Sequence, residues 1–145
     1  MDRRDVVRTA LAASVGLLAA AEARAEAPRA QKVVYHLADT EKVAFVLGNL
    51  ANHLEGAGGP GQITLAVVVH GPALASFRRA GSNRAILEDA GARIKAGIAF
   101  HACAHTMAAM KLTLDDLAPG FAIAEKGGVV LLADMQAAGW IYLRP

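Results

Sequence analysis

The chain has 145 residues, with 15 Lys plus Arg against 13 Asp plus Glu, five histidines and one cysteine. That length builds one domain around one core and is too short for two, and a lone cysteine excludes an intrachain disulfide. Beyond residue 25 the basic residues are scattered, with only Arg78-Arg79 adjacent, so neither a nucleic-acid footprint nor an anionic-membrane patch is present.

The first segment reads as an export signal. Arg3-Arg4 lead into an uncharged Ala-, Leu- and Val-rich stretch over 9–21, and Ala23-Arg24-Ala25 is a small-x-small cleavage site. The apolar stretch is shorter than the roughly 20 residues a membrane-spanning helix needs. The expected product is therefore a soluble, periplasmic protein of residues 26–145 with no membrane contact after cleavage. The paired arginines and Arg24 point to the twin-arginine route, with the general secretory route as the alternative. Cleavage removes Arg3, Arg4, Arg8 and Arg24 with Asp2, Asp5 and Glu22, so 15 and 13 become 11 and 10 and the mature chain is nearly neutral.

The mature part alternates short apolar runs with helical periodicity. Residues 31–37 read as a strand, after which Asp39 or Thr40 caps a helix over 41–53 whose buried face is Val43, Val46, Leu47, Leu50 and Leu54. The continuous aliphatic run 63–69 is the signature of a strand covered on both faces. A helix follows over 83–90 with Gly91 as its stop. A third strand is expected over 98–103, a short helix over 106–110, a helical turn over 113–117, a strand over 121–125, a helix over 129–138 ending at Gly139, and a last strand over 140–143. Alternating β and α units predict an α/β fold, a three-layer α/β/α sandwich around a mostly parallel sheet of about five strands.

Gly56-Ala57-Gly58-Gly59-Pro60-Gly61 formally satisfies G-x-G-x-x-G, but it follows a helix and precedes a strand. A dinucleotide site needs the reverse order, so the run is a helix stop and connection.

Open α/β sheets place their sites at the carboxyl ends of strands, and the polar residues fall there. His36 closes the first strand with Asp39 just beyond, His70 closes the second, and His101, Cys103 and His105 surround the end of the third, so four of five histidines and the only cysteine share one rim. His53 stands apart near a helix end, where a helix-terminal cation or a solvated face accounts for it. Arg78, Arg79 and Arg84 read as a solvated face, and Trp140 and Tyr142 as packing residues of the last strand. Cys103 lies where a strand turns into a helix, where unpaired N–H groups and the helix dipole favour thiolate over thiol.

Four segments resemble the DsrE/DsrF-like proteins of sulfur relay and intracellular sulfur oxidation. They are Val69-His70-Gly71-Pro72-Ala73-Leu74, Phe100-x-x-Cys103-x-x-Thr106-Met107, Asp116-Leu117-x-Pro119-Gly120, and Gly127-Gly128-Val129 continuing to Gln136-x-x-Gly139-Trp140-x-Tyr142-x-x-Pro145. The resemblance implies a small three-layer α/β/α fold, a homo-oligomer (trimer or hexamer), and a cysteine, here Cys103, that carries sulfane sulfur as a persulfide. Those relay members are cytoplasmic, whereas this chain carries an export signal.

Three functions follow. In the first, Cys103 accepts sulfur from a donor persulfide or a small sulfur species and passes it to an acceptor thiol, with His70, His101 or His105 as proton donor or ion-pair partner. No cofactor is needed for that. In the second, His101-x-Cys103-x-His105 binds Cu or Zn, with Met107 and Met110 as soft additions, although a helix starting near Cys103 turns His105 off the shared face. In the third, Cys103 is inert and the rim of an oligomer binds a ligand or partner.

Overall fold

The computed structural model describes residues 29–145; the expected signal, 1–25, lies outside the described residues. Five strands form one all-parallel sheet in the order β4-β3-β2-β1-β5: β1 Gln31–Leu37, β2 Ile63–Val69, β3 Ala99–Cys103, β4 Phe121–Ala124 and β5 Ile141–Leu143. The helices are α1 Val43–Gly56, α2 Arg84–Lys95, α3 Ala104–Met110 and α4 Gly128–Ala137. None of the described helices is long and apolar enough to cross a membrane.

Handedness arranges the layers. From β1 to β4 the chain moves steadily in one direction across the sheet, and right-handed crossovers keep α1, α2 and α3 on one face. The step from β4 back to β5, on the far side of β1, reverses that direction, so the same rule sends α4 to the opposite face. The expected three-layer sandwich is what forms.

The two faces are unequal. Odd-numbered β1 and β2 residues, Val33, Tyr35, Leu37, Leu65, Val67 and Val69, pack with Phe100 and Phe121 against Val46, Leu47 and Leu50 of α1, Ala90 of α2 and Met107 of α3. Phe77, Phe100 and Phe121 form an edge-on triad with ring centroids 5.3–6.2 Å apart. The other face is smaller, with Val34, Ala66 and Val68 beneath Leu132 and Met135 of α4, flanked by Trp140 and Tyr142. Each buried aliphatic or aromatic side chain contributes about 1.5–3 kcal/mol, so the first face supplies most of the stability. As its unbroken apolar run predicts, β2 is the most deeply covered strand, with only Thr64 exposed.

Two readings of the sequence change. Residues Gly71–Phe77 form a 3-10 helix, which the sequence pattern did not announce; Gly71 (φ 59°) makes the turn, Pro72 opens the helix, and Leu74 and Phe77, three apart on one side, are buried. The helix expected to stop at Gly91 runs on to Lys95 and ends before Gly97, whose φ of 95° ends it instead. Gly91 is an exposed mid-helix glycine with open space where a Cβ would stand. Gly91→Ala should therefore raise stability by about 0.5–1 kcal/mol, read as a higher denaturation midpoint in urea with unchanged slope.

Candidate functional site

The chain leaves β3 toward the first face and leaves its hydrogen-bonded neighbour β4 toward the second. A crevice opens between neighbouring strands whose exits diverge, and this is where open α/β sheets bind ligands. Cys103 stands on one lip, the last residue of β3 and the N-cap of α3. Gly127 and Gly128, which open α4, stand on the other.

Both lips turn backbone donors toward the sulfur. Burial pushes the Cys103 thiol up, but the N–H groups of Thr106, Gly128 and His105, with the Thr106 hydroxyl, outweigh it, and the net shift is below the ordinary thiol value. Thr106 Oγ1 accepts the Gly71 N–H at 3.0 Å, which leaves its own hydrogen to point at Cys103. Two helix N-termini and one polarised hydroxyl therefore favour the thiolate together.

The glycines permit this approach. A Cβ on Gly128 would lie 3.2 Å from Val68 Cγ1 and 3.4 Å from the Cβ atoms of both Cys103 and His70. Gly127 has φ 100°, and a Cβ there would meet His105 Cδ2 at 2.7 Å. Between the lips is a cleft of about 340 Å³ lined by His70, Cys103, His105, Thr106, Lys126 and residues 127–130. Cys103 lines its base and is 6% exposed.

His70 connects the cleft to a polar string. Its Nε2 bonds His36 Nε2, the two rings lie 22° from parallel with centroids 4.7 Å apart, and His36 Nδ1 bonds the Tyr142 hydroxyl at 2.6 Å. Beside them Arg144 pairs with Asp39 at 3.3 Å. Burial, then His70 and Arg144, push His36 down to about 4, against a smaller upward pull from Asp39. His70 is lowered by burial and Arg144 in the same way. Both rings are neutral at neutral pH.

Of the residues expected at the site, Cys103, His70 and His105 come together. His101 does not join them. It shares the sheet face of Cys103 but opens into a neighbouring cavity of about 280 Å³ with Ala122, Lys126, Leu131 and Asp134, where burial lowers its pKa. The expected Cu or Zn set of His101, Cys103 and His105 is therefore not assembled. The chain becomes helical at Ala104, which carries His105 off the strand face, and among the described residues no three His, Cys, Asp or Glu side chains converge as a metal-binding group.

His53, half-buried in the last turn of α1, bonds the buried Tyr35 hydroxyl through Nδ1 at 2.8 Å. The arginines are surface groups as expected, Arg84 pairing with Glu88 and Arg79 donating to the Asp115 carbonyl. Sequence reasoning assigned no site role to Thr106 or Gly128 and read Tyr142 as a packing residue. Their signal was present for the first two, which sit beside Cys103 and at the head of a helix in the quoted motifs.

The site and sheet define a three-layer α/β protein with a cysteine at the switch point. No family model and no curated protein matches the chain. Among solved structures it is similar to MTH1491, a protein of unknown function from Methanobacterium thermoautotrophicum, with 26% identity and a TM-score of 0.70. It is also similar to the ychN protein from E. coli, with 16% identity and a TM-score of 0.64. Each match covers 79% of this chain and 99% of the other. The likeness shows that this chain shares the α/β fold of these two structures.

Two outcomes follow. Thr106→Val removes a donor from the thiolate, so the apparent pKa of Cys103 in iodoacetamide alkylation should rise, with the reaction at neutral pH slowing several-fold. In the unfolded chain His36 titrates near its ordinary 6.5 and in the folded protein near 4. Between those values the unfolded state binds the extra proton, so stability should fall as pH is lowered from about 6.5 to about 4. Denaturant midpoints across that range should show the decline, and His36→Gln should make it shallower, leaving the part that His70 and His101 contribute.

Proposed function

We propose that the chain is an exported member of the DsrE/DsrF-like family in which Cys103 carries sulfane sulfur as a persulfide. The observation that carries this reading is the convergence of the His105, Thr106 and Gly128 N–H groups and the Thr106 hydroxyl on one sulfur at the base of an open cleft. The quoted motifs and the shared fold support it.

In loading, the Cys103 thiolate attacks the outer sulfur of a donor persulfide or polysulfide. A new S–S bond forms at Cys103, the donor S–S bond breaks, and the donor leaves as thiolate. In unloading, an acceptor thiolate attacks the outer sulfur of the Cys103 persulfide, that S–S bond breaks, and Cys103 departs as thiolate. No net oxidation occurs, and the same donors that make Cys103 a ready nucleophile make it a good leaving group. One cysteine suffices because the second thiol belongs to the partner, a protein or a small sulfur species.

The proposal places the protein in the periplasm after loss of residues 1–25, through the twin-arginine route. It also places it in a homo-oligomer, trimer or hexamer. The resemblance to the family supports assembly.

Protein recovered from the periplasmic fraction of an expressing bacterium tests these points together. Denaturing mass spectrometry should show a chain beginning at Glu26 that gains mass in steps of one sulfur atom after polysulfide treatment, and native spectra should show the trimer or hexamer. Cys103→Ser should abolish the sulfur gain. Labelling that survives in Cys103→Ser ends the persulfide reading; a retained signal ends the export reading; a monomer ends the oligomer.

A further inference from the structure

We propose that Tyr142, His36 and His70 form a proton string serving the Cys103 cleft, in which His70 takes the proton of the incoming acceptor thiol. This rests on the sulfur-carrier reading. An acceptor arriving as a thiol is a poor nucleophile, because the attacking species is the thiolate. The cleft must therefore receive a proton.

The geometry offers one continuous path. His70 lines the cleft, and its Nε2 is taken by His36 Nε2, while its Nδ1 bonds no other described residue and is the atom left for the thiol. His36 Nδ1 meets the Tyr142 hydroxyl at 2.6 Å, and Tyr142 is half-buried on the edge strand β5, within reach of solvent. The thiol gives its proton to His70 Nδ1, the His70 Nε2 proton passes to His36 Nε2, the His36 Nδ1 proton passes to the Tyr142 oxygen, and the Tyr142 proton leaves to water. The thiolate then attacks the outer persulfide sulfur, a new S–S bond forms, the bond to Cys103 Sγ breaks, and its electron pair returns to the sulfur held by the N–H groups. Each ring ends neutral.

The surrounding charges suit transit rather than storage. Asp39 and Arg144 face both histidines with opposite signs from the turn after β1 and the tail after β5, and they partly cancel at the rings. On the cleft side the facing groups are Cys103, His105 and Lys126. A string that holds no cation fits half-buried rings whose pKa values burial lowers, because a fixed charge there would be costly. His70 is thus a catalytic residue, while His36 and Tyr142 are positioning residues that act through it.

The test uses the persulfide-loaded mature protein and two acceptors at neutral pH: 2-mercaptoethanol, which is protonated, and thionitrobenzoate, which is already a thiolate. Transfer to 2-mercaptoethanol should slow by about 10²-fold in His70→Gln and by about tenfold in Tyr142→Phe and His36→Gln. Transfer to thionitrobenzoate should stay at the wild-type rate in all three. Equal losses with both acceptors reduce the string to a structural feature and overturn the proposal, as does wild-type behaviour in all three variants. A wild-type protein that takes up no sulfur at Cys103 overturns the sulfur-carrier reading and this proposal with it.

Discussion

After β3 the backbone turns toward one face of the sheet and after β4 toward the other, and the N–H groups freed by those two turns share Cys103 as acceptor. A helix start always leaves unpaired donors. Here two starts meet because their strands are hydrogen-bonded neighbours, with Cys103 paired to Ala124 at the end of the ladder. The thiolate preference is thus a property of chain direction before it is a property of any side chain. Thr106 adds to it by accepting the Gly71 N–H, which ties the exit of β2 to the same centre.

That arrangement depends on the unequal faces. The larger core, with α1, α2, α3 and the phenylalanine triad, anchors the sheet and the start of α3. The smaller core has only to seat α4, and Ala66 and Gly128 keep that helix close to the sheet. A bulkier residue at 128 would press on Val68, Cys103 and His70 together. Close approach and donor geometry are therefore one constraint, met by a glycine.

The string of His36, His70 and Tyr142 depends on the placement of β5. Register sets Tyr142 beside Val34, so the phenol reaches two residues along β1 to His36. The end of β2 lies level with the end of β1, which brings His70 to the other side of the same ring. Residues 36, 70 and 142, far apart in the chain, become one hydrogen-bonded unit only because β1 lies between β2 and β5.

Much of this was legible beforehand. Apolar runs and helical periodicity placed all five strands and the main helices, since burial on both faces of a parallel sheet leaves a continuous apolar run such as 63–69. Helix ends were less legible: Gly91 looked like a stop, but a glycine ends a helix by adopting positive φ, and it is Gly97 that does so. By itself the sequence determined the alternation of β and α units, the rim of histidines and the position of Cys103 at a strand-to-helix turn, all of which are local in the chain. Tertiary structure alone decided which donors reach the sulfur, that His101 opens into a different cavity, that His105 leaves the strand face, and that His36 bonds both His70 and Tyr142. Those contacts depend on strand order and on the face to which each helix crosses, and residue spacing along the chain carries neither.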